Sequence, residues 1–157
     1  ANYCIKTDGI PNNNLMNTEH TWPRSKGATG TAESDLHHLF PTLSKLNSTR
    51  SNYPFCDVKN VKKSFDGGSK VGTNHKGTTC FEPPEFHKGN VARALFYFAI
   101  RYQKHISADE EAVLREWHER DPVDYQEIER TTRIEKHQKN RNPFIDHPEY
   151  VEMISDF

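Results

Sequence analysis

The chain has 157 residues, enough for one domain with a buried core, and 33% of them are hydrophobic. No apolar run approaches the roughly 18 residues of a membrane span, so no membrane partner is expected. The net charge of −1 argues against an obvious binder of polyanions. Residues 1–80, however, contain ten Lys and Arg against six Asp and Glu. This imbalance predicts a local basic patch, although an unevenly charged surface without a function explains it equally well.

The chain begins with a predicted loop over residues 1–16, because Gly9, Pro11 and three consecutive asparagines interrupt regular structure. Its first residues, ANYCIKTDGIP, have neither the basic start nor the apolar stretch of a signal peptide, so none is expected there. An initial Ala in place of Met suggests a processed or trimmed chain.

The next stretch, residues 16–52, brings three kinds of polar group close together in sequence. They are the pair Glu19-His20, the pair His37-His38 and the amide of Asn47. A Trp-Pro and a Phe-Pro dipeptide follow the two pairs, and each proline is expected to end a short strand. The predicted order is strand, loop, strand, helix, which lets a carboxylate, an imidazole and an amide meet at one point.

The second predicted strand alternates between two faces. Leu36, His38 and Phe40 share one face, and Asp35, His37 and Leu39 share the other. At most one of the two histidines then faces the site. The hydroxyls of Thr42 and Ser44 are predicted to cap the following helix.

The remaining chain divides into a loop-rich segment over residues 53–87 and a helical body over residues 88–157. Phe65-Asp66-Gly67-Gly68 predicts a turn between irregular strands. From residue 88, apolar residues at helical spacing predict a central buried helix. Ser107 with Glu110 forms a predicted capping box, Asp121-Pro122 a predicted helix start, and residues 148–154 a short closing helix.

Five ordered sequence blocks resemble the bacterial endonuclease I family of the ββα-metal, or His-Me finger, class. The blocks are NTEHTWP (17–23), DLHHLFP (35–41), LNSTRSN (46–52), KGNVAR (88–93) and NRNPFIDHPE (140–149). The resemblance implies an α+β fold: a single nuclease domain over residues 1–157, with a metal finger at 15–52 packed on a mostly helical body. Family members usually carry more chain before the Glu-His block, so a missing N-terminal segment is expected.

The resemblance also implies roles for three residues in hydrolysis of a phosphodiester. His20 corresponds to the general base that activates water, and Glu19 and Asn47 correspond to ligands of one Mg²⁺, with Mn²⁺ or Ca²⁺ as substitutes. The products would carry 5′-phosphate and 3′-hydroxyl ends. Because adjacent strand residues point to opposite faces, a twist or bulge is expected at Glu19-His20.

Other residues have weaker assignments. Arg50 is favoured as the cation that stabilises the phosphate, and Arg24, Lys26 and Arg93 are candidates for substrate binding, with a structural salt bridge weighed equally for Arg93. His37 and His38 either support His20 or are packed structural histidines, and Glu33 either accepts a hydrogen bond near the site or is an exposed loop carboxylate.

The predicted partners are DNA, and RNA as a further substrate, which a monomer binds through the phosphate backbone. Binding without sequence specificity is expected because no motif for reading base edges is present. A secreted or periplasmic location is implied. There, Cys56–Cys80 is the expected disulfide among three cysteines, with free buried thiols as the alternative. The alternative function is a nucleic-acid-binding module that has lost catalysis.

Overall fold

The computed structural model describes residues 12–157, which form a mixed α and β fold. Cys4 and most of the predicted N-terminal loop lie outside these residues. Within them, no helix is long and apolar enough to cross a membrane. The elements in chain order are β1 (Met16–His20), β2 (Leu39–Leu43), α1 (Ser44–Arg50), β3 (Asn60–Ser64), β4 (Lys70–Thr73), β5 (Thr79–Glu82), α2 (Lys88–Tyr102), α3 (Ala108–Arg120), α4 (Tyr125–Gln138), α5 (Pro143–Asp146) and α6 (Tyr150–Met153).

The first three elements form a hairpin with a helix packed against it. β1 and β2 pair antiparallel in continuous register from Met16 opposite Leu43 to His20 opposite Leu39. Pro41 does not end β2 as predicted, and it lies opposite Thr18 inside the ladder. In this two-stranded sheet each strand pairs on one side only, so a proline is tolerated where its missing N–H would face away from the partner.

The second strand begins later than predicted. Leu36–His38 forms a 3₁₀ turn, and the Asp35 carboxylate accepts a hydrogen bond from the His37 backbone N–H at 2.9 Å. This side-chain bond to the backbone competes with a strand conformation, so the predicted alternation of faces over residues 35–38 is wrong.

The predicted hydroxyl caps of α1 are also wrong. Leu43 occupies the N-cap position, and no side chain caps the helix. The Ser44 hydroxyl instead donates to the backbone carbonyl of Asn13, which ties the chain before β1 to the start of α1.

The loop-rich segment contains a three-stranded antiparallel sheet in the order β3-β4-β5. The turn at residues 65–68 is confirmed by a bond from the Gly68 N–H to the Phe65 carbonyl. The Cys56–Cys80 disulfide is confirmed too, with its Cα atoms 5.7 Å apart.

The central helix is confirmed as α2, which is almost wholly buried between α3 and the 3₁₀ turn Leu36–His38. Its Phe98 stacks on Trp22 from the residues after β1, with ring centroids 5.0 Å apart. Phe96 stacks on the C-terminal Phe157 at 4.2 Å. One hydrophobic cluster therefore joins the chain after β1 to the helical body.

Two predicted helix starts need correction. Ser107 does precede α3, but Glu110 accepts from the Phe55 backbone N–H rather than completing a capping box. Asp121 accepts from the Gly89 N–H at 2.9 Å, and Asp124 caps α4 instead. Gly89 is required there because a Cβ atom would collide with the Asp121 carbonyl.

Candidate active site

A polar cleft of about 560 Å³ lies between the end of β1 and the second half of α1. It brings together the carboxylate, imidazole and amide that the sequence singled out. Its lining residues are Asn17, Thr18, Glu19, His20, Pro23, Arg24, Ser25, Asn47, Arg50, Ser51 and Asn52.

Glu19 points from β1 toward α1. Its Oε1 lies 2.9 Å from Nη1 of Arg50, yet this buried oxygen has no hydrogen bond of good geometry among the described residues. Burial raises the pKa of Glu19 to about 7, and the positive charge of Arg50 offsets only part of this effect. Arg50 thus holds the carboxylate in place, but this ion pair does not fully offset the cost of removing the negative charge from water.

His20 borders the same cleft without the expected bulge, since the β1–β2 register is regular through both residues. Because His20 is the last residue of β1, the chain turns away after it and both neighbouring side chains can border the cleft. Burial and the nearby Arg24 lower the pKa of His20, while the charge of Glu33 and hydrogen bonds with the backbone of Glu33 and Thr18 act in the opposite direction. The ring is therefore neutral at pH 7 and able to accept a proton.

Asn47 is oriented by its amide nitrogen. Nδ2 donates to Oδ1 of Asn17 at 2.8 Å and to the carbonyl of Thr18 at 3.0 Å. These two bonds fix which end of the amide is oxygen and direct Oδ1 away from β1. The amide thus offers an oxygen donor in the cleft that Glu19 also lines.

His37 and His38 are both buried, and His38 lies against His20. The Nε2 atom of His38 lies 2.8 Å from the Ala32 carbonyl, and its ring centroid is 5.7 Å from that of His20. His37 lies against Tyr97, with Nε2 3.2 Å from the Asn140 carbonyl. Their placement in a turn rather than a strand explains why neither is directed to solvent. The packed-histidine interpretation fits both, and His38 also contacts His20.

Asp35 was not among the predicted site residues. Its Oδ2 accepts from the hydroxyls of Tyr97 at 2.8 Å and Tyr102 at 2.7 Å, and its Oδ1 accepts from Nε2 of Gln138. Burial acts to raise the pKa of Asp35, but these hydrogen bonds and the one from the His37 N–H outweigh it and lower the pKa. The position of Asp35 two residues before His37 was the available signal.

Arg50 lines the cleft, but its guanidinium is buried rather than directed at a phosphate as predicted. Its side chain is only 4% exposed, and Nη1 and Nη2 donate to the carbonyls of His20 at 3.1 Å and Thr21 at 2.8 Å. Its guanidinium also lies over the Phe55 ring at 4.6 Å. These contacts and the Glu19 pair hold the group inside the protein, so it does not extend toward a substrate.

The three other predicted cations are dispersed. Arg24 is 66% exposed, lines the cleft and lies 3.1 Å from Oε1 of Glu33. Lys26 is exposed but lines a different cavity beside Glu110.

Arg93 is fully buried, which contradicts its predicted role in substrate binding. Its Nε donates to Oε1 of Glu127 at 2.9 Å, and Nη1 donates to the Asp121 carbonyl at 2.9 Å. The structural salt bridge, the other interpretation of Arg93, is what the structure shows.

The donor set in the cleft fits a hard divalent cation. Glu19 and Asn47 offer oxygen atoms, the ligands that Mg²⁺ prefers, and the open cleft leaves room for the waters that Mg²⁺ retains. Across residues 12–157, no three His, Cys, Asp or Glu side chains cluster as a metal site. The cleft therefore differs from a site in which protein groups supply every ligand.

Comparison with known proteins adds independent information. The model of the family described as Endonuclease I matches residues 2–149. The chain is 37% identical over 163 residues to an extracellular ribonuclease of Bacillus subtilis (strain 168), covering 88% of this chain and 53% of the relative. It is 34% identical over 114 residues to a periplasmic deoxyribonuclease of Aeromonas hydrophila, covering 73% of this chain and 48% of that protein. The chain thus spans about half the length of the curated relatives it matches.

Proposed function

Because this chain belongs to the endonuclease I family, we propose that its polar cleft is the active site of a metal-dependent endonuclease that cuts nucleic acid without sequence specificity. One observation carries the proposal. The cleft joins a neutral imidazole at His20 to two oxygen donors, Glu19 and Asn47, which other side chains hold in place. In this proposal β1, β2 and α1 are the ββα-metal, or His-Me, finger of a single nuclease domain.

His20 is the general base. Its neutral ring takes a proton from the water that attacks phosphorus, and the ring lies against that of His38, with ring centroids 5.7 Å apart. Glu19 and Asn47 hold one Mg²⁺, for which Mn²⁺ or Ca²⁺ substitutes. Bound there, the ion supplies charge neutralisation at the phosphate and at the departing 3′-oxygen. The products carry 5′-phosphate and 3′-hydroxyl ends.

The two arginines of the cleft have different roles in this proposal. Arg50 is a positioning residue, because its guanidinium joins α1 to the end of β1 and holds the Glu19 carboxylate. Arg24 is the exposed cation that meets the substrate phosphate, released from its exposed pair with Glu33.

The substrates we propose are DNA and RNA, bound by a monomer through the phosphate backbone. Relatives named as a ribonuclease and as deoxyribonucleases support both. The names extracellular and periplasmic support a secreted or periplasmic location, where the Cys56–Cys80 disulfide is stable.

Plasmid nicking by the purified chain tests the proposal, with Mg²⁺ or with EDTA. His20→Ala should lower turnover by at least about 10² because the general base is lost. The matched control is His75→Ala, which removes an exposed histidine outside the cleft and should cut normally. Undiminished cutting by His20→Ala would remove this residue from the mechanism. DNA binding without cutting by the folded wild type would favour the inactive binding module.

A further inference from the structure

A second cavity of about 590 Å³ adjoins the polar cleft, and its walls are mostly apolar. It lies between the β1–β2–α1 unit and the chain that joins β5 to α2. Aromatic and aliphatic side chains and prolines form most of its lining, among them Phe40, Leu46, Phe55, Phe81, Pro83 and Phe86. Its volume is within the range of pockets that bind small organic groups.

Two of the aromatic rings have features that suit a stacking surface. Phe86 is 74% exposed, although it lines the cavity. Phe40 is fixed on two sides, by the edge of the His87 ring at 4.9 Å and by the Arg130 guanidinium at 4.2 Å from the ring centroid. The exposed Phe86 ring can stack on a flat group. Phe40 can contact the same group with little further loss of side-chain entropy, because its ring is already fixed.

The cavity continues into the proposed active site. Glu19, Asn47 and Arg50 border both spaces, so the polar end of the cavity is the place where the scissile phosphate would be bound. A ligand that fits must therefore be anionic at one end and flat and apolar at the other. A nucleotide within a strand has this character, with its phosphate next to its base.

We propose that this apolar cavity binds the unstacked base of the nucleotide next to the scissile phosphate. The inference rests on the proposed nuclease function and adds a preference to it. A base in a duplex is paired and stacked, whereas a base in a single strand is free to enter a pocket and stack on aromatic rings. Single-stranded DNA or RNA is then the preferred substrate, without readout of base identity.

The test uses a labelled single-stranded 20-mer that contains one stable abasic residue, incubated with the protein and Mg²⁺. Cutting at every linkage is read from one gel lane, so linkages far from the abasic residue serve as internal controls. We expect cutting at the linkage beside the abasic residue to fall about tenfold, because stacking energy is lost there.

Two variants assign the effect to the cavity. Phe86→Ala should even out the cutting pattern, and it should fold because the ring is exposed. Tyr125→Ala removes a ring on α4 that is equally exposed, at 76%, and should keep the wild-type pattern.

The outcomes separate the two proposals. A uniform pattern around the abasic residue, with efficient cutting elsewhere, would overturn the base pocket and leave the nuclease intact. Discrimination that persists in Phe86→Ala would also overturn it. If neither the 20-mer nor the plasmid is cut, both proposals fail.

Discussion

Glu19 and His20 are neighbours in sequence but are held by different parts of the protein. Arg50 of α1 holds Glu19, whereas the backbone of Glu33 and the ring of His38 adjoin His20. Each side chain therefore depends on contacts far from it in sequence. Substitutions at single residues of the cleft should separate metal binding, substrate binding and proton transfer.

Asn47→Ala should raise the Mg²⁺ concentration needed for half-maximal cutting, because an oxygen donor is lost while His20 is unchanged. Titration of nicking activity with Mg²⁺ measures this. Ser48→Ala is the control, since its hydroxyl only donates to the Ser44 carbonyl on the same helix. An unchanged metal requirement in Asn47→Ala would make the amide structural.

Arg24→Gln should weaken substrate binding and lower the salt dependence of binding by about one phosphate contact. Affinity for DNA measured over a range of salt concentrations, in the His20→Ala background, reports both. Arg133→Gln on α4 is the control, because this arginine is 71% exposed, lies outside the cleft and likewise pairs with a carboxylate. A salt slope equal to that of the parent would exclude Arg24 from the phosphate.

At the scale of elements, the 3₁₀ turn Leu36–His38 is fixed by the helical body. Asp35 precedes the turn and binds two tyrosines of α2 and Gln138 of α4. His38 in the turn lies between the Phe98 ring, at 4.6 Å, and His20. The helices thus determine where the His38 ring lies against His20.

Asp35→Asn should lower kcat and leave the Mg²⁺ requirement nearly unchanged. The amide cannot accept all the hydrogen bonds that the carboxylate accepts, so the turn and His38 shift behind His20. Steady-state kinetics at saturating Mg²⁺ measures the effect, with thermal unfolding as a check on folding. A loss of stability with kcat unchanged would limit Asp35 to a structural role.

At the scale of the whole molecule, three described histidines, His37, His38 and His118, are buried, and His87 is partly buried. Burial lowers the pKa of His37 and His118, and it lowers the pKa of His38 and His87 to about 4. In the unfolded chain these groups titrate near 6.5. At these four histidines the unfolded state therefore binds more protons than the folded state between these two pH values.

The contribution of these histidines to the free energy of unfolding should consequently be fully present above pH 6.5 and be lost as the pH falls toward 4, whereas the raised pKa of Glu19 acts in the opposite direction. His38 alone would contribute on the order of 3 kcal/mol of this loss. Urea unfolding at a series of pH values measures it, and His75→Gln should keep the same profile because that histidine is exposed. The same pH profile in His38→Gln as in the wild type would contradict the prediction.

Local chemistry in the sequence determined several features. Helical spacing of apolar residues predicted α2, the Gly-Gly pair predicted the turn at residues 65–68, and the five blocks identified the family. These signals are short-range or are carried by residue identity, so they can be recognised without knowledge of packing.

The tertiary structure decided which partners each polar group binds. Arg50 was predicted to meet a phosphate, and Arg93 to bind either substrate or a structural carboxylate, but carbonyls and carboxylates from distant segments bind both inside the protein. Asp35, Glu110 and Asp121 likewise bind groups far away in the chain. A buried charge takes the partners that packing brings to it, because leaving it without them is costly, and sequence spacing does not specify those partners.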